Sequence, residues 1–138
     1  MKRRHILATA AYLCAASAAH GAEFELSLGE IGLREYYCTA QMTLANRGER
    51  PALEVSGHFL LYVGDAQVGR SKGTWFMNLG PGESVTAVFE TPNAPCTEVE
   101  RYAFVVGACR LDGPGFAPVA DCAARITGVG PVEVVPDP

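Results

Sequence analysis

The sequence predicts an all-β antiparallel sandwich, and three observations carry that prediction. Apolar and polar residues alternate with period two in several separate runs. Turns built on Gly, Pro and Asn punctuate those runs. No stretch beyond the first two dozen residues keeps helical spacing for three turns. With 138 residues, 49% of them hydrophobic and 19% charged, the composition suits a single folded domain rather than a disordered, collagen-like or coiled-coil chain.

The first segment reads as an export signal and is set aside before the fold. Lys2, Arg3 and Arg4 form a cationic head, and Ile6 to Ala19 follows without a charge. Ala19-His20-Gly21 places small residues where a signal peptidase reads, so the expected signal is 1–21, with cleavage after Ala19 as the second choice. The run is shorter than the roughly 20 residues a spanning helix needs, so no stable membrane insertion is expected after signal removal. Cys14 follows Tyr12-Leu13 inside the apolar run, a poor context for lipidation. Arg3-Arg4 resembles the twin-arginine export pattern, although expected disulfides favour export of the unfolded chain. Losing Lys2, Arg3 and Arg4 leaves 8 basic and 15 acidic side chains, a formal charge of −7. Nucleic acid and anionic membranes are then unfavourable partners, because affinity for phosphates comes from Lys and Arg.

In order along the chain, Phe24, Leu26 and Leu28 alternate with Glu25 and Ser27, predicting a strand over 23–29. Cys38, Ala40, Met42 and Leu44 predict a second over 38–45, which ends at the Asn46-Arg47-Gly48 turn. The third, 53–63, places Leu53, Val55, Phe59, Leu61 and Val63 on one face and Leu60 and Tyr62 on the other. Gly64-Asp65 is a hairpin turn, and the return strand is expected over 67–77. Gly80-Pro81-Gly82-Glu83 has the form of a type II turn and leads into a strand over 84–91. Tyr102, Phe104, Val106 and Ala108 define 100–109, Gly113-Pro114-Gly115 marks a loop, and 123–129 is the last expected strand. Residues 130–138, with three prolines, are expected to form a flexible C-terminal tail. About seven strands with this spacing fit an immunoglobulin-like or fibronectin-like sandwich domain over 22–129; a small closed barrel satisfies the same alternation.

Phe59-Leu60-Leu61-Tyr62 fits Phe-x-Leu-Tyr, with Asn46 ahead of it and Gly80-Pro81-Gly82-Glu83-Ser84 after it. Over residues 38–91 the chain resembles the FxLYD-type bacterial extracytoplasmic immunoglobulin-like domains. It departs from them where Val63 and Gly64 precede Asp65. The resemblance implies a fold and an extracytoplasmic setting; an activity has to be argued from a site.

Four cysteines remain after the signal: Cys38, Cys96, Cys109 and Cys122. Three connectivities are possible. In the sandwich, the hairpin joining 100–109 to 123–129 brings Cys109 to Cys122. The strands 38–45 and 84–91 are antiparallel neighbours, so Cys38 lies near Cys96. An immunoglobulin-type Cys38–Cys109 pair would join opposite ends of the sandwich. The expected bridges are Cys38–Cys96 and Cys109–Cys122, as suits a periplasmic or secreted protein.

Residues for catalysis are scarce. With cleavage after Gly21, His58 is the one histidine left, and it shares a strand face with Leu60 and Tyr62. No Cys-x-x-Cys, phosphate loop or dinucleotide fingerprint is present. Glu23 with Glu25, and Glu98 with Glu100, are spaced as the solvent face of a strand. No catalytic residue, cofactor or metal is therefore expected. Candidate binding residues are aromatic: Tyr36 and Tyr37, Trp75 and Phe76, and Phe116 in the 110–121 loop. Neighbours in a strand point to opposite faces, so one of each pair is expected outside. The expected function is a non-enzymatic module that binds a protein or envelope component. The alternative is an inhibitor of an exported hydrolase that uses the 110–121 loop as a plug.

Overall fold

The computed structural model describes residues 23–112 and 117–137. The expected signal over 1–21, Cys14, the Gly113-Pro114-Gly115 turn and Phe116 lie outside the described residues. The strands are β1 (Phe24–Arg34), β2 (Tyr37–Asn46), β3 (Ala52–Val63), β4 (Ala66–Arg70), β5 (Thr74–Leu79), β6 (Ser84–Pro92), β7 (Arg101–Leu111), β8 (Ile126–Gly128) and β9 (Val132–Pro136). One sheet has four strands in the order β6-β2-β1-β8. The other has five, in the order β4-β3-β7-β9, with β5 also on β3.

The two sheets enclose one core. Most inward residues are those the alternation selects: Phe24 and Leu26 on β1, Cys38, Ala40, Met42 and Leu44 on β2, Val55, Phe59 and Leu61 on β3. Leu53 and Val63, expected on that face of β3, are only half-buried, and a register shift between Ala52 and Glu54 puts Ala52 in the core instead of Leu53. From β7 come Tyr102, Phe104 and Val106, and then Cys109 in place of the expected Ala108, because the register with β3 shifts between Ser56 and Gly57. Burying each large side chain contributes about 1.5–3 kcal/mol. Phe59 packs against Phe104 beside it with the rings tilted by 34° and 4.8 Å between centroids, and Phe76 meets Phe104 edge-on at 6.3 Å. Tyr62 faces outward, its ring 4.1 Å from the Arg101 guanidinium.

Asn46 holds one end of the sandwich. Its amide nitrogen donates to the Arg50 carbonyl at 2.8 Å and the Leu79 carbonyl at 3.0 Å. Its side-chain oxygen accepts from the Gly48 amide at 3.0 Å. The turn after β2 and the end of β5 are thereby tied to one buried side chain, so every polar group of that side chain is used. Gly82 has φ 76°, the left-handed position that the Gly80-Glu83 turn requires.

Four further details differ from the sequence expectation. The strand expected over 67–77 occupies a single lane along β3, but it is interrupted. β4 pairs Leu60 to Val63 and β5 pairs Ala52 to Gly57. At the break, the Ser71 hydroxyl accepts the Phe59 amide at 2.8 Å while the Ser71 amide donates to the Phe59 carbonyl at 2.9 Å. A buried serine thus takes over the ladder bonds. The first strand also runs on beyond 29 to Arg34, past a register shift between Leu28 and Ile31.

The other two differences lie at the C-terminus. Cys122–Arg125 is a 3-10 helical turn, and only Ile126–Gly128 continues as β8, parallel to β1 in the opposite sheet. Among the described residues, pairing of the segment after β7 with β7 is limited there to the single Arg110–Pro118 bridge. Residues expected to be a flexible tail instead supply β9, parallel to β7 from Tyr102–Val132 to Val106–Pro136. The last segment therefore closes an edge of each sheet in turn and adds two parallel pairings to an otherwise antiparallel sandwich; with the split of the 67–77 strand, β9 brings the count among the described residues to nine.

Both expected disulfides form. Cys38 of β2 joins Cys96 with Cα atoms 5.2 Å apart, and Cys109 of β7 joins Cys122 at 5.4 Å. The second bridge fastens β7 to the 3-10 turn at the crossover between sheets, not to a hairpin partner. Two disulfides fit an oxidising environment. Among the described residues, no helix is long and apolar enough to cross a membrane.

Candidate functional site

The break between β4 and β5 shapes the surface. Where the chain leaves the β3 lane at Ser71–Gly73, it leaves a recess between β5 and β6, the outermost strands of the two sheets on this flank. The recess is an open groove of about 800 Å³. Trp75, Lys72 and Gly73 form one wall; Val88, Glu90 and Pro92 form the other. Tyr37 and Arg34 close one end, and Phe89 lies between core and groove.

Each apolar member is exposed for a definable reason. Phe76 pairs with Val55 and points into the core, so its neighbour Trp75 points out and is 59% exposed. Gly73 lets the Trp75 ring fold back against the backbone, since a Cβ there would meet the six-membered ring. On β6, Phe89 points inward, so Val88 points out and is 60% exposed. Tyr37 precedes inward Cys38 and is paired with Arg34 and Pro92, which puts it on the outer face of the first sheet.

The two cations of the groove stand apart from the ion pairs of the rest of the molecule. Arg47, Arg101, Arg110 and Arg125 each form an ion pair with a carboxylate, and Arg50 donates to the Asp112 carbonyl. Among the described residues, Arg34 and Lys72 form no ion pair. The carboxylate side is the reverse: Glu23 and Glu25 are held by Arg125 and Arg47, and Glu100 accepts the Gly64 amide. Glu90 is the one acid among the groove residues named, against two cations.

The structure thus brings two of the five candidate aromatics together, Tyr37 and Trp75. Phe76 is fully buried and is corrected from binding surface to core. Tyr36 is 80% exposed but stands in the β1–β2 turn, outside the groove lining. Both tyrosines are exposed, against the expectation of one, because Tyr36 lies off the ladder, next to Glu35 at φ 56°. Phe116 lies outside the described residues. The four cysteines are consumed in the two bridges.

Arg34, Lys72, Val88 and Glu90 were missed as site residues. Val88 was legible, being the apolar residue on the polar side of an alternating strand. Lys72 also carried a signal as the single lysine after the expected signal peptide. Nothing in the sequence brings Arg34 and Lys72 to one groove.

His58 lies on the outer face of β3, opposite Val105. Burial holds its pKa below the usual histidine value, Arg70 pushes it the same way, and Asp137 opposes them. Among the described residues, no three His, Cys, Asp or Glu side chains converge as a metal site. No family model, curated protein or solved structure matches this chain.

Proposed function

We propose that this chain is a non-enzymatic, exported β-sandwich module that docks a protein or cell-envelope component through the groove between β5 and β6. The observation that carries the reading is the pairing of exposed Trp75 and Tyr37 in one recess, with Val88 on its opposite wall. Aromatic side chains that keep a large apolar area in water are favoured contact residues. An apolar patch rimmed by charge marks an interaction surface more often than a structural accident. The two disulfides support a periplasmic or secreted location, in line with the export signal read at 1–21 and with the resemblance to extracytoplasmic immunoglobulin-like domains.

The test is capture from envelope extracts by the immobilised chain, compared with Trp75→Ala and Phe116→Ala. The reading expects a partner that Trp75→Ala loses and Phe116→Ala retains. A partner retained by Trp75→Ala and lost by Phe116→Ala would transfer the function to the 110–121 loop.

A further inference from the structure

Resting on the docking reading above, we propose that the occupant of the groove is an extended acidic segment of another protein, which joins the free edge of β6 as an added strand. The backbone argument comes first. In an antiparallel pair, directly opposed residues alternate between those that exchange hydrogen bonds and those that do not. Two bonds at the two ends of the β2–β6 ladder fix this alternation. The Asn93 amide donates to the Tyr36 carbonyl at 3.0 Å, and the Asn46 amide donates to the Glu83 carbonyl at 2.9 Å. The register between them is unbroken. Val85, Ala87, Phe89 and Thr91 therefore bond toward β2, and the N–H and C=O groups of Thr86, Val88 and Glu90 point to the outer edge. Among the described residues, no strand pairs with that edge.

This edge carries few of the usual protections, Glu90 being its one charged residue. Exposed edge strands are commonly blunted by lysine, proline, a bulge or a very short length. β6 runs nine residues with no register shift, no lysine, and its first proline at the last position. The lower half of β1 contrasts with it, since a register shift between Leu28 and Ile31 interrupts that edge. An accessible edge beside a side-chain groove is the arrangement that recognises extended peptides: main-chain bonds supply affinity, and alternate side chains read the pocket.

Charge selects the class of peptide. The chain is strongly acidic after the expected signal removal, yet the groove holds two cations without an ion pair, Arg34 at one end and Lys72 on the wall facing β6. A strand laid along Thr86 to Glu90 sets every second side chain on the same face as Val88, where apolar residues fit. Carboxylates elsewhere on it reach Lys72 or Arg34. Such pairs, set in a partly desolvated recess, add specificity and speed association.

The test uses synthetic twelve-residue peptides in which Asp or Glu alternates with Val or Phe, beside the same set with Lys in place of the acids. Binding to the full chain is followed by the emission of Trp75, the only tryptophan present. The acidic set is expected to bind at least about tenfold tighter, and acidic peptides N-methylated at alternate residues to lose at least about tenfold. Val88→Pro is expected to lose a similar factor, because a proline at an edge removes only the outward donor. Equal binding of acidic and basic sets overturns the proposal, as does undiminished binding of the N-methylated peptides. So does a dimer of the chain itself that Val88→Pro dissolves, which would make a second copy the occupant. The two readings separate in the envelope capture: a partner lost by Trp75→Ala but kept by Val88→Pro leaves docking intact and removes strand addition. A partner kept by both removes docking as well.

Discussion

Phe59 and Phe89 stack across the space between the two sheets, with ring centroids 4.5 Å apart and planes 11° apart. One ring belongs to β3 and the other to β6, so this contact joins the sheets directly behind the groove. Phe89 also meets Tyr102 edge-on at 6.3 Å. Phe59→Ala should remove the stack and leave a cavity, at a cost of about 3–5 kcal/mol. A denaturant titration reads this as a lower midpoint. A midpoint within error of the wild type would mean that the sheets are held elsewhere.

Asn46 is fully buried and satisfies three backbone groups. Asn46→Ala strands the Leu79 and Arg50 carbonyls and the Gly48 amide at once. Each such loss costs on the order of 1 kcal/mol, more where the group stays dry, so a destabilisation of about 2–4 kcal/mol is expected. Asn46→Asp should be no better, because a carboxylate cannot donate to the two carbonyls. Urea unfolding of both variants checks the pair.

The Cys109–Cys122 bridge closes a short loop, with a sequence separation of 13. In the chain-entropy model such a loop adds about 3 kcal/mol. Replacing both cysteines by serine should lower the melting temperature, while the emission maximum of Trp75, exposed on the opposite side of its sheet from the buried Cys109, stays in place. An unaltered melt would contradict a structural role for the bridge.

Two groups predict how stability depends on pH. Burial lowers the His58 pKa in the folded state, with Arg70 adding to the effect. Stability attached to the neutral ring is then complete above the ordinary value of 6.5 and is lost as pH falls below it. His58→Gln should reduce the drop in melting temperature between about pH 7.5 and about pH 5.5.

Tyr102 behaves in the opposite sense. Burial raises its pKa above 10.0, so its contribution is present below that pH and is lost as pH rises through it. Among the described residues its hydroxyl has no hydrogen-bond partner, and removing an unsatisfied buried polar atom is neutral or stabilising. Tyr102→Phe should therefore melt at the same or a higher temperature at neutral pH and lose less stability in alkali. A lower melt at neutral pH would point to a partner for the hydroxyl.

Much of this architecture could be read from residues alone, and the exceptions have physical causes. Alternation at Cys38, Ala40, Met42 and Leu44 identified the inner face of β2, but it left open which of Tyr36 and Tyr37 lies outside. At Trp75-Phe76 both neighbours are large and aromatic, so only the pairing of Phe76 with Val55 decides which one is buried. Val132–Pro136 escaped notice because its prolines suggested a tail. They stand where proline is tolerated, Pro131 just before the strand and Pro136 at its end. The break at Ser71–Gly73 was not legible, because it depends on a serine side chain replacing a strand bond. The groove follows from that break, so its lining was only partly visible: Trp75 and Tyr37 stood out as aromatics, while Arg34 and Lys72 meet there through tertiary structure.

The most direct measurement is amide hydrogen exchange along β6, in the free chain and with the acidic peptide bound. The account predicts that Val88 and Glu90 exchange fast in the free chain while Ala87 and Phe89 are protected, and that the peptide slows Val88 and Glu90. Equal protection of all four amides in the free chain, or fast exchange at Val88 and Glu90 with the peptide bound, would contradict it.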